Sequence, residues 1–89
     1  MFIPKLNGNS FNNTYNLNLT DWNNISAPGI YSGFAAKNSP SNSDEIWVDA
    51  IAFASNGNTN FMNVIAIHDM HISVRALGGG IWTDWKLVA

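Results

Sequence analysis

The chain has no cysteine. That excludes disulfide staples, thiolate nucleophiles and Cys-rich zinc frameworks. Charge is also scarce: Asp, Glu, Lys and Arg make up 11% of the 89 residues, against about 25% in typical domains. Four basic and six acidic side chains leave a net charge of −2. Nucleic acid, which needs a basic face to displace counterions, is therefore not an expected partner, and neither is an anionic membrane surface. The longest apolar runs, 46–54 and 61–67, fall far short of the roughly 20 residues of a membrane helix, so membrane insertion is not expected. Pro4 and Lys5 interrupt the opening stretch MFIPKLNGNS, which does not read as a secretory signal. A sustained helical period, a Gly-rich strand-to-helix turn and a G-x-S-x-G elbow are all missing.

Hydrophobic residues are abundant, at 46%, and four of them are tryptophan. A chain of this length makes one domain, 1–89, with 1–19 a loop-rich lead-in. It buries only about 60–65% of its unfolded surface, so its own core is marginal. Apolar surface that charge is too sparse to cover is expected to be buried by neighbouring copies. The remaining exposed groups are neutral, chiefly asparagines at 7–24 and 56–63. Asparagine favours turns, where its side chain bonds nearby backbone.

Aromatic and β-branched runs separated by Gly, Asn, Ser and Pro predict an all-β fold. The expected form is a small antiparallel β-sandwich or closed sheet, with one short helical turn near residues 20–25 capped by Thr20 or Asp21. Strands are expected at 29–36, 46–54, 61–68, 72–77 and 81–88, with a further short one around 15–19. Both faces of 46–54 are largely apolar, which predicts a central strand covered on both sides, with another subunit as a candidate cover for one of them. Asn56-Gly57 and Gly78-Gly79-Gly80 are the hairpin signals.

No catalytic constellation emerges. His68 and His71 flank Asp69 and Met70, but two histidines three apart on an extended chain point to opposite sides and need a turn to share a metal. They read as hairpin residues or a ligand-contacting loop, with no metal site and no cofactor expected. Asp44, Glu45, Asp49 and Asp84 lie in no recognisable two-carboxylate context. Trp82 and Trp85, three apart on one expected strand, should face opposite sides and form no common platform. Arg75 reads as a structural residue, either solvent-facing or paired with an acid such as Asp84.

The ordered pieces Asp21-Trp22-Asn23-Asn24-Ile25, Ala27-Pro28-Gly29-Ile30-Tyr31, Asn38-Ser39-Pro40, Val74-Arg75 and Gly79-Gly80-Ile81-Trp82-Thr83-Asp84-Trp85-Lys86 stand out together. They resemble a series found in the C-terminal domains of bacteriophage tail fibres and in the knob domains of R-type pyocin fibres. The resemblance covers roughly 21–88. Trp22 stands where the family often has Leu, and 41–70 carries no aligned motif. The resemblance implies a homotrimeric, non-enzymatic receptor-binding tip domain, assembled in the bacterial cytoplasm and carried on a virion tail fibre or baseplate tip. Its implied partner is a bacterial surface glycan or another surface receptor. The ligand-contacting residues expected within that reading are Asn56, Asn58 and Asn60 in one loop, His68, Asp69 and His71 in another, and Trp47, with Lys37 behind them. The alternatives are a structural trimerisation or attachment module, a free carbohydrate-binding module, and a depolymerase fragment.

Overall fold

The computed structural model describes residues 15–41 and 46–89. Its strands are β1 (Tyr15–Asn16), β2 (Gly29–Phe34), β3 (Trp47–Ser55), β4 (Asn58–His68), β5 (His71–Gly78), β6 (Ile81–Trp82) and β7 (Lys86–Leu87). They form one seven-stranded mixed sheet in the order β1-β2-β3-β4-β5-β6, with β7 also pairing with β5. The all-β expectation holds. Every pairing is antiparallel except β1 with β2. The first fourteen residues and the acids Asp44 and Glu45 lie outside the described residues.

Period-two alternation gives the sheet two sides. Val48, Ala50, Ala52, Met62, Val64 and Ala66 point to one side and are buried. The segment between β1 and β2 crosses that side. It folds into a 3₁₀ turn, Trp22–Asn24, whose preceding Asp21 accepts a hydrogen bond from the Asn23 N–H. Trp22 and Ile25 from this segment complete the core, with Leu19, Trp82 and Trp85 packed around them. Alanines at 50, 52 and 66 leave the depth that a fully buried indole needs. Gly33 admits the crossing chain: a Cβ there would meet the Leu19 carbonyl oxygen at 2.5 Å.

The described residues cover one side of β3 only. On the other, the side the sequence reading left to another subunit, Trp47 and Phe53 are about half exposed. β3 alternates between the covered side and open solvent.

The hairpin signals are largely met. Asn56 and Gly57 both take positive φ in the β3–β4 turn, as a type I′ geometry requires. β4 starts at Asn58, three residues earlier than expected, because the ladder resumes past a register shift at Ala54/Ser55. The last expected strand is not continuous. Beyond Trp82 the chain leaves the ladder at 83–85 and rejoins it at Lys86. Thr83 bridges the gap, its N–H donating to the Ala76 carbonyl at 2.8 Å and its Oγ1 accepting from the Ala76 N–H at 3.0 Å.

Candidate functional site

Arg75 projects from β5 into the covered side of the sheet and is 8% exposed. Its guanidinium donates through Nε and Nη2 to the Thr83 carbonyl, through Nη1 to the Trp22 carbonyl, and through Nη2 to Asn23 Oδ1 at 3.0 Å. The cation lies 4.5 Å from the Trp82 ring centre and 4.9 Å from that of Trp85. This corrects two expectations. Because the chain breaks at 83–85, Trp82 and Trp85 share one cation instead of facing opposite sides. Arg75 is not solvent-facing, and among the described residues its hydrogen-bond acceptors are carbonyls and an amide instead of an acid. Burial lowers the guanidinium pKa from its ordinary value, with the fields of Asp21 and Asp84 pulling the other way.

The surrounding residues form a continuous network. Trp82 Nε1 donates to the Asn23 carbonyl, and Trp85 Nε1 donates to the Asn38 carbonyl at 2.8 Å. Asn38 Nδ2 in turn donates to Asp21 Oδ1 at 2.9 Å. The Asn38 amide, and next the Asn23 N–H, hold the Asp21 carboxyl below its usual pKa, with Lys37 and Arg75 adding to the effect. Trp22 and Trp85 meet edge to face, with ring centres 6.2 Å apart. Nearby, Tyr31 donates its hydroxyl to the Ala27 carbonyl at 2.6 Å. Pieces scattered over about sixty residues of sequence thus meet around one cation, four of whose five N–H donors are hydrogen-bonded. Such a cluster fixes loops.

The residues expected to contact a ligand fall into two groups. Asn56, Asn58 and Asn60 lie at one end of β4, and His68, Asp69 and His71 lie at the other. Eleven strand residues separate the ends, about 30 Å at the usual rise. The two loops therefore do not form one site in a single chain. Trp47 belongs with the histidine end. It pairs with Phe34, the rings 5.3 Å apart, and β3 aligns Asp49 with Ile67 just below it. In the asparagine loop, Asn58 Oδ1 accepts from the Asn60 N–H, a local turn bond. Lys37 is tied by its backbone to Thr20 and Trp22.

At the histidine end the β4–β5 turn does bring the two imidazoles together, 6.1 Å between ring centres. His68 is buried, its Nε2 2.8 Å from Ser73 Oγ, while His71 Nδ1 lies 3.1 Å from the Ala89 carbonyl. Among the described residues no group of three or more metal-ligating side chains forms. The turn between the histidines holds Asp69 and Met70 at φ 49° and 64°. Met70 is 98% exposed. Positive φ at both positions is what a two-residue type I′ hairpin turn requires, and methionine, wholly in water, is an uncommon residue for that place. Ala35, at φ 54°, lies at the same end beside the Phe34–Trp47 pair. Composition alone did not single out Met70 or Ala35, because only the backbone angles mark them. No protein-family model, curated protein or solved structure matches this chain.

Proposed function

We propose that the chain is a receptor-binding tip domain of a bacteriophage tail fibre, or of a related R-type pyocin fibre, that holds a bacterial surface polysaccharide without cleaving it. The observation that carries this reading is the convergence of the resemblance's separate pieces on Arg75. Asp21, Asn23, Asn38, Trp82, Thr83 and Trp85 act as one network. The series thus reads as the signature of a particular fold and not as a chance run of common dipeptides. The histidine end is the surface assigned to the receptor. Met70 stands out from the tip, and the Phe34–Trp47 rings lie on the open side of the sheet at the same end, as faces on which a sugar ring can stack. Contacts this few are weak singly and gain strength when three chains present them together.

Fluorescently labelled protein applied to a panel of bacterial strains should coat at least one of them. Met70→Gly combined with Trp47→Ala should abolish the coating while leaving the far-ultraviolet circular dichroism unchanged. A protein that coats no strain would remove the adhesin reading. Polysaccharide from a coated strain should keep its chain length during incubation; sustained shortening would make the domain an enzyme. The uncovered apolar side of the sheet favours a second reading, a structural trimerisation module of a fibre, which predicts stable oligomers that coat nothing.

A further inference from the structure

The open side of β2–β5 holds a hollow of about 260 Å³ that neither the Arg75 network nor the histidine turn uses. Its walls are Ile30, Ile51, Phe53, Ile65 and Ile67, with Asp49 at the margin nearest Trp47. Pockets for drug-sized ligands run to about 300–1,000 Å³, so this one admits a single small unit. Successive residues on one side of a strand stand about 6.6 Å apart. Trp47, Asp49 and Ile51 therefore make a row on β3 that passes from an aromatic ring through a carboxylate to an aliphatic wall. Neighbouring units of a glycan laid along that row meet the ring first and the hollow next.

Asp49 decides which chemistry the hollow accepts. It is the single charged residue that β2–β5 place on this side, and among the described residues no hydrogen bond or ion pair engages its carboxylate. Lys86, opposite Val74 on β7, is three strand spacings away, about 14 Å. An acidic sugar here meets like charge. A sugar with a hydroxyl on every carbon strips their water against aliphatic walls that return no hydrogen bond. An ammonium group answers the carboxylate but leaves the hollow empty. A neutral sugar that carries a methyl group satisfies both features. Its hydroxyls donate to Asp49 in charge-assisted bonds, and its methyl is buried among Ile51, Ile65 and Ile67.

We propose that this hollow is the subsite that selects the receptor, and that it takes a neutral methyl-bearing sugar, a 6-deoxyhexose or an N-acetylhexosamine. The assignment rests on the glycan-receptor reading and narrows it to a class of sugar. The two fail separately. A chain that coats cells but does not distinguish these sugars keeps the adhesin and loses the subsite. A chain that distinguishes them but coats no cell does the reverse.

Titration of the isotopically labelled full chain with free sugars at neutral pH reads the site through its backbone amide resonances. A 6-deoxyhexose or an N-acetylhexosamine should shift the amides of Asp49, Ile51, Ile65 and Ile67 at about tenfold lower concentration than the parent hexose, with a hexuronic acid weakest of all. Whichever methyl-bearing series binds identifies the source of the methyl. Asp49→Asn should weaken the preferred sugar by about tenfold, since neutral hydrogen bonds replace charge-assisted ones, and should bring the hexuronic acid level with its parent hexose. Ile65→Phe fills the hollow and should erase the preference for the methyl while the circular dichroism stays that of the native sheet. Equal affinity of the native chain for methyl-bearing and parent sugars overturns the proposal. So do shifts confined to the turn at Asp69 and Met70, an absence of shifts with every sugar, or an Asp49→Asn chain that binds as the native one does.

Discussion

Val64 and Ile65 are neighbours in β4, differ by one methylene, and live in opposite surroundings. Val64 faces the alanine-floored core under Trp22 and is fully buried; Ile65 faces the uncovered side and is 44% exposed. The covered side spends its interactions on specificity: an indole filling depth, a cation held by carbonyls, two more indoles around the cation. The uncovered side has none of these devices: its area is mostly apolar, broken by Asp49, Ser32 and Asn63. The contrast teaches that the described residues finish one side of this sheet and leave the other open.

The sharpest way to break the contrast is to damage the finished side. Trp22→Ala empties a site with no solvent access and should cost about 3–5 kcal/mol, read as a shift in the urea midpoint. Trp22→Phe should cost clearly less, because the Trp22 Nε1 proton has no acceptor and its removal recovers part of the penalty of an orphaned donor. If both substitutions cost the same, the indole is not unsatisfied in solution. Arg75→Met should cost about 2–3 kcal/mol, because it strands the Trp22 and Thr83 carbonyls. Arg75→Lys should restore only part of that, since one ammonium cannot fork to acceptors on separate segments. A full rescue by lysine would reduce the network to simple charge.

A milder pair tests the two sides directly. Val64→Ala should cost about 1–2 kcal/mol through lost burial and the space left behind. Ile65→Ala, measured at a dilution where chains are separate, should change stability by about 0.5 kcal/mol or less. Equal losses would mean that the outer side is already covered within one chain.

Much of the covered side was legible in advance, and for a clear reason. The aromatic and β-branched runs at 46–54 and 61–68 locate the strands, and Asn56-Gly57 marks a turn that only a few residue types accept. The capping role of Asp21 follows from its position before Trp22. The fate of Arg75 could not be read. Its acceptors include the backbone carbonyls of Trp22 and Thr83, and carbonyls leave no trace in side-chain patterns. The relation of Trp82 to Trp85 was misread because strand periodicity was carried across 83–85, where Thr83 replaces a ladder partner and lets the chain swing out. The two candidate loops were rightly taken for turns. Their separation was hidden because Asn58 and Asn60 resemble loop residues while belonging to β4. The apolar character of both sides of β3 was visible too, but sequence carries no sign of whether a second layer exists to cover each.

The smallest effect comes from the buried imidazole, His68. Burial first, then the neighbouring His71, holds the His68 pKa below its ordinary value, with Asp69 opposing. In the unfolded chain the same group titrates near about 6.5. Between those two values the unfolded chain binds more protons than the folded one. The contribution of neutral His68 is therefore fully present above about pH 6.5, is lost as pH falls toward the lower folded value, and changes no further beneath it. Urea midpoints across that window should decline toward acid for the native chain, and His68→Gln should flatten the His68 part of the slope while keeping a polar contact to Ser73. An undiminished slope in His68→Gln would move the acid sensitivity off the covered side and onto the exposed groups of the tip.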